Sequence, residues 1–252
     1  MKILVFSFVL ISFTFFGVSC DSRTEAEKIV DAAIDAYGGE LYEKTAITFD
    51  FRGIHYSIFK SPTAFEYSRE FTDSTGQVLD VLNNGGFTRK VNGVKIDTLT
   101  EERIGAFSRS VNSVAYFAFL PYGLNDAAAI KTYLGKTTIK GKEYHQVKVT
   151  FQAEGGGDHF EDEFLYWFGL ADYRLDYIAY SYHTDGGGVR MREVRAYREV
   201  GGIRFQDYIN LKASNKKTPL DSMQYLYEKG TLEKLSEINL ENIRASTLPE
   251  NE

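Results

Sequence analysis

The stretch FLYWFGLADYRLDYIAYSY, Phe164 to Tyr182, decides how this chain folds. Two aromatic-rich runs, FEDEFLYWF over 160–168 and YRLDYIAYSY over 173–182, flank a turn signal at Gly169–Asp172. Aromatic and β-branched residues suit a pleated, half-buried surface, so both runs read as strands, and the short turn makes them a hairpin. VRMREVRAY (189–197) and IRFQDYINLK (203–212) extend the pattern beyond turns at Asp185–Gly188 and Gly201–Gly202. Working back toward the N-terminus, KGK at 140–142 is another turn, after which Val147, Val149 and Phe151 alternate with Lys148 and Thr150. That period of two is a strand with one apolar face.

The first half has the same character. Ile47, Phe49 and Phe51 alternate with Thr48, Asp50 and Arg52, and Phe65, Tyr67 and Phe71 oppose Glu66, Ser68 and Glu70. NNGG at 83–86 and NG at 92–93 supply residues that tolerate positive φ, as hairpin turns require. Helices interrupt the strands twice. Ser22 and Glu25 form a capping-box pattern ahead of Ile29, Val30, Ala33, Ile34 and Tyr37, with Gly38 and Gly39 as the stop. Thr98 and Glu101 open a second helix through Ile104, Phe107, Val111, Val114 and Ala118, stopped by Pro121, and a short helix is expected from Asp126, capped by Asn125 and ending near Gly135. Between them, AYFAFLPYGL (115–124) is too apolar for an exposed loop and lies across the sheet, as core or as a lid. The order helix, meander, two helices, meander predicts a mainly β, α+β fold: a strongly curved antiparallel sheet or half-open barrel wrapped around its helices.

The N-terminus indicates a location. MKILVFSFVLISFTFFGVS (1–19) has one positive charge at Lys2 and then an apolar run, the layout of a secretory signal peptide. A transmembrane helix competes, but the run is shorter than the ~20 apolar residues a span needs and ends in small residues. Gly17, Val18, Ser19 and Cys20 resemble the lipobox of bacterial lipoproteins, although Gly17 stands where leucine is usual. The resemblance implies removal of 1–19 and acylation of Cys20, leaving a single domain over 20–252. Ordinary cleavage after Ser19 also fits a small-x-small rule. Cys20 is the only cysteine, so no internal disulfide is available, and acylation would remove an otherwise unprotected thiol from an oxidising compartment. A lipid-anchored protein of a Gram-negative envelope, on the outer membrane, is the expectation.

The chain of 252 residues has a net charge of −6 with its basic residues dispersed, which argues against a nucleic-acid partner. The order of elements, taken with the lipobox, looks like the lipoprotein-carrier architecture of LolA and LolB, in which a half-open barrel holds acyl chains. YWFGLADYRLDYIAYSY (166–182), GGGVRMREV (186–194) and GIRFQDYINLK (202–212) also resemble a family of uncharacterised lipoproteins from Gram-negative bacteria. That family brings no established activity.

Chemistry-bearing motifs are sparse. There is no H-E-x-x-H, G-x-S-x-G, P-loop, dinucleotide fingerprint or cysteine pair. In DHFEDEF (158–164), Glu161 and Glu163 share one strand face and Asp162 takes the other, as on any solvated sheet face. If the strands flanking Gly169–Asp172 pair, His159 and His183 approach at one rim, with Asp158 and Asp185 beside them. Those four side chains would suit a divalent cation, while turn chemistry explains the same residues without one. Arg69 alternates in step with Phe65, Tyr67 and Phe71, where it either orients an anionic amphiphile or stacks on its aromatic neighbours. Arg69, Phe65 and Tyr67, with Phe107, Val111, Phe117 and Phe119 from the helical interlude, are the candidate ligand-binding residues. The expected function is binding of an apolar or amphipathic, lipid-like ligand, with no catalysis and no cofactor. The alternatives are an interaction module whose concave face is filled by its own helices, and a metal-dependent enzyme working at the histidine rim.

Overall fold

The computed structural model describes residues 21–154 and 160–248. Residues 1–19, Cys20, Asp158 and His159 lie outside them. Helix α1 (Glu25–Tyr37) is capped by Thr24, whose hydroxyl accepts from the Glu27 amide at 3.2 Å while Glu27 accepts from the Thr24 amide at 2.7 Å. The capping box therefore sits two residues after the predicted Ser22/Glu25 pair. The two patterns overlap in the sequence, and only the later one starts the helix where each turn buries an apolar residue, from Ala26 through Tyr37. Helix α2 (Glu101–Ala118) shifts in the same way: Thr100, not Thr98, is its cap.

The first six strands, β1 (Thr45–Phe51), β2 (Ile54–Lys60), β3 (Phe65–Asp73), β4 (Gly76–Asn83), β5 (Gly86–Val91) and β6 (Val94–Lys95), form an antiparallel meander. The second meander holds β7 (Ala129–Ile139), β8 (Lys142–Phe151), β9 (Glu163–Gly169), β10 (Leu175–Tyr182), β11 (Gly188–Val200) and β12 (Ile203–Lys212). After the short helix α3 (Met223–Glu228), β13 (Glu233–Ile238) pairs with β12, and β14 (Glu241–Thr247) crosses over to pair with β1. The described strands thus form two seven-stranded curved sheets, ordered β14-β1-β2-β3-β4-β5-β6 and β13-β12-β11-β10-β9-β8-β7, which do not close into a barrel. This is the expected α+β class, with the curved surface divided between two sheets that share the β13–β14 corner. At that corner the Asp207 carboxylate accepts from the Leu240 amide at 2.9 Å, and Arg198 donates to both Asp207 and the Leu240 carbonyl.

One prediction fails within the fold. Residues 126–135 are not a helix: a single 3-10 turn at Tyr122–Asn125 leads directly into β7. Along β7, inward Ala129, Lys131 and Tyr133 alternate with outward Ile130, Thr132 and Leu134, and the β-branched residues favour the strand. Gly135, read as a helix stop, instead sits at a β-bulge with φ 107°.

The two sheets enclose a common core with α1 and α2. Phe164, Tyr166 and Phe168 of β9 enter it, whereas Leu165 and Trp167 point to the opposite face of the same sheet, where Leu220, Met223 and Tyr227 cover them. FLYWF is continuously apolar because both faces of β9 are buried. The stretch 115–124 belongs to the core, with Phe119, Leu120 and Leu124 fully buried.

A cavity between the two sheets and helix α2

α2 packs on β3 and β4, and α1 packs on β7 and β12, so each helix lies against a different sheet and α2 borders the gap between the two. A cavity of about 410 Å³ remains there. Its walls come from three directions. Phe51, Ile54, Tyr56 and Arg69 belong to β1–β3, Ser110, Ser113, Val114 and Phe117 to α2, and Arg192, Gln206, Tyr208 and Asn210 to β11 and β12. Ile238 and Leu240 close it at the β13–β14 corner.

The cavity is lined by polar and apolar groups in about equal measure, and its charged groups are all positive. Arg52, Arg69 and Arg192 line it, and no Asp or Glu does. Arg69 is nonetheless partnered: its Nε donates to Asp80 at 2.8 Å and its Nη1 to Ser110 Oγ at 2.6 Å. Arg89 donates to the same carboxylate at 2.6 and 2.7 Å, and its guanidinium lies 3.5 Å over the Phe107 ring. One buried aspartate therefore serves two cations, leaving a surplus positive charge behind this wall.

The opposite wall is less satisfied. Arg192 lies 3.4 Å over the Phe117 ring and donates to Tyr180 Oη at 3.2 Å. Its Nε is buried without a hydrogen-bond partner, as is Oδ1 of Asn210, the residue directly opposite it in the β11–β12 ladder. Tyr208 is the neighbouring ring, and burial pushes its hydroxyl well above the usual phenol range, so it stays a neutral hydrogen-bonding group.

Of the residues singled out from sequence, Arg69 and Phe117 meet at this cavity. Phe65, Tyr67, Val111 and Phe119 are core or pack against it, with Tyr67 bridging the Phe65 and Phe119 rings. Phe107 lies apart, between Phe87 and Arg89. Arg192, Asn210 and Gln206 escaped sequence reasoning, although for Gln206 and Asn210 the even spacing of polar residues within IRFQDYINLK was a legible signal. At the proposed metal rim, His183 is exposed with Nδ1 3.4 Å from Asp162, and of Asp185 only the backbone is described, in a 3-10 turn. Among the described residues no three His, Cys, Asp or Glu side chains are grouped to hold a metal ion.

Comparison with solved structures bears out the architecture. A LolA superfamily protein from Nitrosomonas europaea superposes with a TM-score of 0.50 at 10% identity, over 91% of this chain and 96% of that one. A putative outer membrane lipoprotein-sorting protein domain from Vibrio parahaemolyticus gives 0.46 at 9% identity, over 89% and 95%. A DUF1329 family protein from Desulfovibrio piger gives 0.41 at 9%, over 88% and 93%. The first of these shows a shared fold and nothing about ligands. No functionally curated protein matches the sequence. The model of a family of unknown function, DUF6503, matches residues 4–240, and the chain belongs to that family.

Proposed function

We propose that this protein is an envelope lipoprotein that binds a lipid-like ligand in the cavity between its two sheets, without a chemical step. The observation that carries this reading is the cavity of about 410 Å³, walled by Phe51, Ile54, Val114, Phe117, Ile238 and Leu240. Its volume falls in the ~300–1,000 Å³ range of small-molecule sites, toward the lower end. The LolA-type fold, the lipobox-like sequence ending at Cys20 and the start of α1 only a few residues beyond it are consistent with a domain held close to a membrane surface. Acyl chains on Cys20 would supply the firm anchoring that a single chain does not.

The test is to produce the domain from Asp21 onward, purify it from a bacterial envelope fraction without detergent, and analyse the extracted lipids by mass spectrometry. Stoichiometric recovery of one lipid class is the expected result. A protein that is empty, and stays empty when offered fatty acids and phospholipids, refutes lipid binding and leaves the self-filled interaction module.

A further inference from the structure

We propose that the cavity selects a single-chain amphiphile with an anionic oxygen headgroup, a carboxylate or a phosphate monoester, and that Arg192 with Asn210 is the headgroup site. This rests on the lipid-binding reading above and assigns its ligand class and polarity.

Four observations converge. Arg192 is only 8% exposed, yet among the described residues no carboxylate pairs with it. Buried charges in proteins are as a rule paired and hydrogen-bonded, so a guanidinium with one phenolic partner and an orphaned Nε is an exception that needs an acceptor. Second, Asn210, also 8% exposed, leaves its own Oδ1 unpartnered directly across the ladder. Both residues line the cavity, and half a turn of the amide lets Ser236 donate to its oxygen and frees its NH₂ as a second donor beside the arginine. Third, the Phe117 ring, 3.4 Å from the guanidinium carbon, braces the side chain, and a guanidinium is a planar fork of N–H donors that matches carboxylate and phosphate oxygens. Fourth, no acidic residue lines the cavity, Arg69 shares its one carboxylate with Arg89, and Arg192 has none, so the field in the cavity favours a negative ligand. The modest volume, with apolar side chains of β1–β3 and α2 beyond the arginine, suits one chain better than two.

Arg69, the arginine that alternates with aromatics in the sequence, shares Asp80 with Arg89. Arg192 is the buried arginine of the lining with no carboxylate beside it.

The experiment uses delipidated protein and cis-parinaric acid, a fluorescent single-chain carboxylate, beside its methyl ester. The acid is expected to bind about 10- to 100-fold more tightly, the range of a hydrogen-bonded charge pair. Hexadecyl phosphate and palmitate as competitors then tell which headgroup is preferred. Arg192→Met is expected to bring the acid-to-ester affinity ratio down to about 1. The same variant is expected to raise the melting temperature of the ligand-free protein, because it removes an uncompensated buried cation; an arginine that merely braces the sheet would lower it. Asn210→Leu provides a second, independent loss of acid affinity. Equal binding of acid and ester by the wild type overturns the headgroup assignment and leaves the lipid-binding reading standing. Binding of neither overturns both.

Discussion

Asp80 offers the sharpest test of the electrostatics inside this fold. Its carboxylate is completely buried and accepts three charged hydrogen bonds: from Arg69 Nε at 2.8 Å, Arg89 Nε at 2.6 Å and Arg89 Nη2 at 2.7 Å. The two guanidinium side chains are themselves only 9% and 10% exposed, so water does little to stabilise them once the counter-ion is gone. Asp80→Asn preserves shape, removes the charge, and turns an amide NH₂ toward guanidinium donors. Breaking a buried ion pair from one side typically costs about 3–5 kcal/mol. For a domain of this size that corresponds to a fall in Tm of roughly 6–20 °C, at about 2–4 °C per kcal/mol. Urea titration at constant m-value, with calorimetry as the second probe, measures it. The triple variant Arg69→Met, Asp80→Leu, Arg89→Met removes all three charges together and is expected to lie within ~1 kcal/mol of wild type or above it. If Asp80→Asn costs under about 1 kcal/mol, the cluster behaves like a solvated surface pair, and the account of a dry, positively biased wall is wrong.

Three further outcomes follow from the packing. Burial holds the His145 imidazole below its ordinary 6.5, with the ring stacked on Tyr173 at 5.7 Å. The unfolded chain therefore takes up the proton first, stability declines as the pH falls below about 6.5 toward the depressed folded value, and His145→Gln should flatten that decline in acid titrations followed by circular dichroism. Gly201 has φ 60°, and a methyl group there would come within 2.7 Å of the Ala245 Cβ, so Gly201→Ala should cost about 1–3 kcal/mol, with Ala245→Gly restoring part of it in a double-mutant cycle. Trp167 is the only tryptophan, fully buried, with its indole N–H donating to Gln224 at 3.1 Å. Its emission should be blue-shifted in the native protein, and Trp167→Ala should cost about 3–5 kcal/mol by denaturant titration.

Most strands and turns were legible because they rest on local chemistry. Alternation marked the strands, and NNGG, NG, KGK and Gly201–Gly202 marked the turns. What escaped detection depends on distant partners. Around Ile130 the β-branched residues and the alternation favour a strand, yet the Asn125 cap pattern masks them until β8 is laid alongside, and nothing near Asn242 says that this segment joins β1 rather than β13. FLYWF reads from sequence as a half-buried strand, and its second face is buried only by Leu220 to Tyr227, a segment with weak periodicity of its own. The candidate site shows the same division. The oddity of Arg69 could be read along its own strand, whereas its pairing with Asp80 and the lack of a carboxylate beside Arg192 are facts about neighbouring strands.

The crossover of β14 onto β1 bears on how the chain is assembled. As a polypeptide emerges N-terminus first, β1 can pair with β2 at once, but its other edge stays bare until nearly the whole second sheet has been made and β13 has turned the corner at Leu240. Such a pairing closes a very long loop, and long-range strand pairing is slow. In the interval the chain carries an open edge bearing Ile47 and Phe49, a template on which another chain can add. A chain cut before residue 241 should consequently self-associate through β1 rather than remain as a monomer with one sheet short of a strand.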